Sequence, residues 1–129
     1  MKKLILCLMT AGALVFGAAV LSAAETTPKS VIHVVTVAWK EDATPAQIQA
    51  ALDGVKKLAE DFDGITRVWL KSIKVQNAPG TEVKRTHAFV MEFESEEALE
   101  EYADSDAQKE WYKVYTPIRQ QSTTHDITN

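Results

Sequence analysis

The chain has 129 residues, a formal net charge of −4 and a single cysteine, which together exclude a multidomain enzyme and a disulfide-stapled miniprotein. With 46% hydrophobic and 25% charged residues it is not intrinsically disordered. Those averages hide two unlike pieces, because residues 1–24 carry the cysteine and no acidic residue, and the remaining 105 carry 12 basic and 18 acidic side chains.

Lys2-Lys3, an apolar stretch from Leu4 to about Val20, and Ser22-Ala23-Ala24 before Glu25 have the layout of a secretory signal peptide. Small side chains at Ser22 and Ala24 place the expected cleavage between Ala24 and Glu25. The roughly 17-residue apolar run is at the short limit for spanning a bilayer, so no stable membrane anchor is expected after processing. Cys7 lies at the start of that stretch, and Leu4-Ile5-Leu6 lacks the small residues expected before a lipidated cysteine. The expected product is exported to the periplasm or medium, cysteine-free, with a net charge of −6.

Residues 25–30 read as a short polar leader before a domain over 31–129. Val31 to Trp39 is β-branched and apolar on both parities, which predicts a strand buried on both faces. Thr44-Pro45-Ala46-Gln47 carries a threonine cap, a proline at the first helical position and a glutamine placed to close a capping box. Ile48, Ala51, Leu52, Val55, Leu58, Ala59 and Phe62 then recur at helical spacing, and Gly54 on the flank of that stripe reads as a tolerated cost of ~1 kcal/mol. Asp63-Gly64 ends the helix, Ile65 to Val75 reads as a second strand, and Asn77 to Thr81 has turn chemistry. Lys84 to Glu94 reads as a third strand with His87, Phe89, Met91 and Phe93 on one parity. Ser95 caps a helix carrying Ala98, Leu99 and Tyr102, and Ser105-Asp106 interrupts it. A further helical stretch runs from Ala107 to about Gln121, bent or ended by Pro117, and Thr123 to Ile127 is a last strand.

The order βαββαβ defines an α+β, ferredoxin-like fold: an antiparallel sheet with its helices on one face. Such a sheet needs one apolar face, yet the first and third strands are apolar on both. A second copy of the sheet is the simplest cover, so a two-fold homodimer is expected.

The opening strand Val31-Ile32-His33-Val34-Val35, the run Thr86-His87-Ala88 into Val90-Met91-Glu92-Phe93-Glu94-Ser95, and Glu96-Glu97-Ala98-Leu99-Glu100-Glu101-Tyr102 resemble the stress-responsive A/B barrel (Dabb) family over about residues 30–127. The resemblance implies a dimeric α/β barrel that holds a small apolar ligand, without a cofactor. It also implies an alternative, a cofactor-independent cyclase, isomerase or monooxygenase-like enzyme. Set against a plant polyketide cyclase of that family, His33 and His87 match pocket histidines and Tyr102 matches the catalytic tyrosine. The family's His-Pro-x-His segment reads Ser105-Asp106-Ala107-Gln108 here, so Gln108 stands at the general-base position and cannot take a proton near neutral pH. Val55 replaces a further tyrosine of that site. The resemblance therefore implies a pocket of His33, Val35, Val55, His87, Phe89, Tyr102, Gln108 and Trp111, with Tyr102, His87 and His33 as candidate proton-handling residues.

Each candidate also has a packing reading. A histidine among apolar residues is commonly a satisfied core group, and Tyr102, Trp111 and Tyr115 recur as core aromatics do. His33, His87 and His125 on three neighbouring strands would form a facial metal site only if all three faced one way, and the parity of the last strand turns His125 to the other face, so no metal is expected. Trp39 and Trp69 read as packing at a strand end and a sheet edge. The glutamates from Glu92 to Glu101 lack the pattern of a calcium loop and read as a solvated face. Lys71, Lys74, Lys84 and Arg85 make a local patch on an acidic domain, with no nucleic-acid footprint. No nucleophile elbow or phosphate-binding glycine loop is present in the sequence.

Overall fold

A computed structural model describes residues 30–128, so the targeting segment and most of the polar leader lie outside the described residues. The strands are β1 (Val31–Trp39), β2 (Ile65–Trp69), β3 (His87–Phe93) and β4 (Arg119–Thr128), and the helices are α1 (Pro45–Asp61), α2 (Glu96–Ala103) and α3 (Asp106–Tyr115). The strands form one antiparallel sheet in the order β2-β3-β1-β4. This is the ferredoxin-like α+β arrangement, with the second helical region split in two.

Register sorts the side chains. Val31, Val35 and Val37 of β1 lie opposite Phe93, Phe89 and His87 of β3, with His33 opposite Met91. This parity faces the helices, and Val37, Phe89, Met91 and Phe93 are fully buried among Leu58, Val55, Tyr102 and Trp111. Burying each such side chain contributes about 1.5–3 kcal/mol. The opposite parity puts Ile32, Val34, Val90 and the half-exposed Trp69 on the sheet's other face, away from the helices. On that face Glu92 is buried and paired with Arg67 at 2.7 Å. Its carboxylate is therefore part of the sheet rather than of a solvated helix.

Thr44 caps α1 as expected, with its backbone N–H donating to Gln47 Oε1 at 2.9 Å and its Oγ1 accepting from Gln47 N–H at 3.3 Å. Gly54 corrects the sequence reading. A Cβ built there would lie 2.6 Å from Cδ1 of Trp111, whose Nε1 donates to Ala51 O at 2.8 Å. The missing side chain is the space into which the indole packs.

Several boundaries also differ. The expected strand over Ile65–Val75 ends at Trp69, and Ile73 is almost wholly exposed despite the alternation around it. There the Asn77 side chain closes the connection itself, accepting from Arg85 N–H at 2.8 Å and donating to Arg85 O at 2.9 Å around a turn with Gly80 at φ +79°. The third strand accordingly starts at His87 rather than Lys84. Finally, α3 stops at Tyr115 instead of near Gln121 because Pro117 has no N–H to continue it. Lys40 fixes the turn, its N–H donating to Ile118 O and its Nζ to Pro117 O, and β4 starts at Arg119.

Candidate functional site

Between the β1–β4 side of the sheet and the helices α2 and α3 lies an open cleft of about 350 Å³. Strand parity supplies its floor: His33 and Val35 from β1, Met91 from β3, and Ser122, Thr124 and Asp126 from β4. Residues one turn apart supply its roof: Leu99 and Tyr102 from α2, and Gln108, Trp111 and Tyr115 from α3. The Ser105 hydroxyl accepts from Gln108 N–H at 3.1 Å, and this cap starts α3 with Gln108 turned to the cleft.

The register sets His33 opposite Asp126, and His33 Nδ1 lies 2.5 Å from Asp126 Oδ1. A carboxylate accepts hydrogen bonds, so Nδ1 is the donor of this contact, and the tautomer it selects carries its acceptor lone pair on Nε2. The ring is held further by edge contacts with Phe93 and Tyr102, with centroids 5.8 and 6.4 Å away. Tyr102 is nearly inaccessible, and burial pushes its phenol well above the usual range. It is a hydrogen-bond donor at neutral pH, not a base.

Of the eight residues expected to line a pocket, His33, Val35, Tyr102, Gln108 and Trp111 do so. Val55 and Phe89 lie beneath it, 0% and 1% exposed in the core. His87 shares the helix-facing parity but pairs with Val37, four residues along β1 from His33, a distance of about 13 Å at 3.3 Å per residue. It borders a separate recess with Leu52 and Leu70, and its Nδ1 accepts from Trp39 Nε1 at 2.9 Å. Burial holds its pKa below the ordinary value and keeps it a neutral acceptor for that indole. The three candidate proton-handling residues are thus not brought together; His33 and Tyr102 are, and His87 packs elsewhere. His125 lies opposite Val34 and so faces away from His33. Among the described residues, no group of three or more histidine, cysteine or acidic side chains is placed to hold a metal.

Asp126, Ser122, Thr124 and Arg119 were missed as site residues. The signal for Asp126 was available in part: once β4 is set beside β1, the parity that turns His125 outward turns Asp126 inward. Glu100 also lines the cleft, and so is not merely part of a solvated helix face.

A search of the curated proteins finds no match. Among solved structures, an Arabidopsis thaliana protein is 22% identical, with 77% of this chain and 94% of that chain covered at a TM-score of 0.67. The hydroxynitrile lyase of Passiflora edulis is 18% identical, with 80% and 95% covered at 0.66. A dimeric ferredoxin-like protein of unknown function from Thermobifida fusca is 14% identical, with 82% and 96% covered at 0.64. At these identities the likeness is one of fold. The model of the stress responsive A/B barrel domain matches residues 31–129, and the chain belongs to that family.

Proposed function

We propose that the protein is a homodimer whose cleft binds a small, mainly apolar molecule and passes a proton to or from it without a cofactor. The observation that carries this reading is His33, fixed by Asp126 on the wall of an open cleft. Gln108 removes the base that the plant cyclase has at its position, and His33 supplies a different one. Its Nε2 takes the proton from an acidic C–H or O–H of the ligand, while Asp126 stabilises the imidazolium that forms. Tyr102, kept protonated by burial, is the nearby phenol that can donate to the oxygen on which charge develops. Dimeric relatives and the apolar outer sheet face support the homodimer. The layout of residues 1–24 supports export after cleavage between Ala24 and Glu25, and the family's description supports a stress-linked setting.

Native mass spectrometry of protein purified from its own host tests processing, dimer mass and retained ligand together. Proton transfer is tested with phenylacetone in heavy water, following loss of its benzylic protons by NMR. Exchange faster than in buffer, abolished in His33→Gln, is the expected result. Exchange at the same rate in both proteins overturns the catalytic part of the reading.

A further inference from the structure

The far end of the same cleft, where α3 meets β4, carries polar groups that the proton-transfer reading leaves unused. Tyr115 is 2% exposed, and its buried hydroxyl makes no hydrogen bond of good geometry among the described residues, with the side chains of Ser122 and Arg119 as its polar neighbours. Leaving such a group unpaired costs about 1–3 kcal/mol, so a native hydroxyl in this state implies a partner. Its ring is sandwiched: Trp111 stacks on it with centroids 4.3 Å apart and an 11° tilt, and the Arg119 guanidinium lies 5.1 Å from its centroid. Arg119 makes no ion pair among the described residues, and the hydrogen bond of its side chain to Ser122 Oγ, from Nη1, is a long 3.5 Å. Arg119, Ser122 and Tyr115 all line the cleft.

A guanidinium has five donors in a planar fork, and among the described residues only Nη1 makes a hydrogen bond, the long one to Ser122. The two carboxylates of the cleft act elsewhere: Asp126 is engaged by His33, four residues along β4 from Ser122 or about 13 Å away, and Glu100 comes from α2. The cleft is therefore polarised, with the Asp126 carboxylate on the imidazole at one end and, at the other, a guanidinium that no carboxylate of the described residues pairs with. Val35, two residues along β1 from His33, and Trp111 also line the cleft, and Met91 lies opposite His33.

We propose that Arg119, Ser122 and the Tyr115 hydroxyl form a carboxylate-binding subsite, so that the ligand is a small organic acid with an apolar, aromatic-sized body. The guanidinium meets the two carboxylate oxygens, and the Tyr115 hydroxyl donates to one of them. The body of the ligand lies against Trp111 and Val35 and points its far end at His33. This subsite rests on the reading that the cleft takes a ligand, and it names the class that the cleft selects.

The test compares 3-phenylpropanoate with its neutral isostere 3-phenylpropanamide, each titrated into the full-length processed protein and followed by the NMR shifts of the Trp111 indole. The acid is expected to bind about tenfold more tightly than the amide, the effect of one charge-assisted pair. Arg119→Met, which keeps an unbranched side chain over Tyr115, is expected to bring the ratio to about one by weakening the acid more than the amide. Arg119→Lys keeps the charge without the fork and is expected to fall between them; it also serves if the methionine variant does not fold. Equal affinities of acid and amide in the unaltered protein overturn the subsite and leave the cleft reading standing. A lower melting temperature for Arg119→Met with the ratio unchanged makes Arg119 a packing residue and likewise overturns it. No shift at Trp111 with either compound overturns both the subsite and the cleft reading.

Discussion

His33 and Asp126 are separated by 93 positions in sequence and by 2.5 Å in space, joined because β4 pairs with β1 in a register that sets them directly opposite. The pair is open on one side only: the histidine side chain is 15% exposed and the aspartate 46%. A carboxylate in that position contributes little to folding, since a half-exposed ion pair is worth about 0–1 kcal/mol, but it decides which ring nitrogen carries the proton. Asp126→Asn is therefore expected to shift the unfolding midpoint slightly and to redistribute the His33 tautomers. Two-dimensional nitrogen–proton NMR of the imidazole reads this directly. In the unaltered protein the tautomer with its proton on Nδ1 is expected to dominate. An unchanged tautomer in the variant would show that Asp126 does not orient the ring.

Gly54 and Trp111 give the second prediction. In an exposed helix, replacing glycine by alanine is expected to stabilise by about 1 kcal/mol. Here the new methyl would sit 2.6 Å from the indole, so Gly54→Ala is expected to destabilise by about 1–3 kcal/mol. Trp111→Leu alone is also destabilising, through lost packing and the lost bond to Ala51 O. The two costs are not additive: once the indole is gone, the alanine meets no obstacle. A double-mutant cycle by urea unfolding measures the coupling, and additive values would remove the close fit as the cause.

The same pair shows what can be read from the chain itself. Periodicity marks the buried stripe of α1 and the N-cap of Thr44, because those signals are local. The use of Gly54 is not local; it depends on a tryptophan 57 positions away, and only the α1–α3 packing brings the two together. The same distinction explains the site. His33 and Tyr102 were legible as candidates, but separating His87 from them required the β1–β3 register, which places it opposite Val37. Asp126 became visible only with the β1–β4 register, and Arg119 was hidden inside a helix expected to run on past Pro117. Alternation misled at Ile73, where the Asn77 side chain bonds the backbone at Arg85 and the chain leaves the sheet.

His87 yields a pH dependence with a definite sign. Burial lowers its pKa in the folded protein below the ordinary 6.5, so the unfolded chain binds a proton more readily. Its contribution to stability is complete above pH 6.5 and is lost as the pH falls towards the lowered folded value. Protonation also turns Nδ1 from acceptor to donor and breaks its bond from Trp39 Nε1. The urea midpoint of the native protein is expected to fall between about pH 7 and pH 5. His87→Asn, which keeps an acceptor for the indole without a titrating group, is expected to reduce that slope. An equal slope in both proteins would assign the acid sensitivity to other groups.

The last prediction concerns the sheet face that no helix of the described residues covers. Val34 and Val90 are directly paired at its centre, flanked by Ile32 and Trp69, so the face carries contiguous apolar side chains in the middle of the sheet. In a monomer that face meets water; in the proposed dimer it meets its own copy, an isologous contact in which each valine lies near a two-fold axis. Burial there is worth about 1.5–3 kcal/mol per valine, and each substitution counts twice because both copies carry it. Val34→Glu is expected to convert a dimer into a folded monomer by placing two carboxylates in the interface, with circular dichroism unchanged. Light scattering after size exclusion reads the mass at micromolar concentration. If the unaltered chain runs as a monomer there, the apolar outer face needs another partner, and the argument from two apolar sheet faces to a homodimer fails.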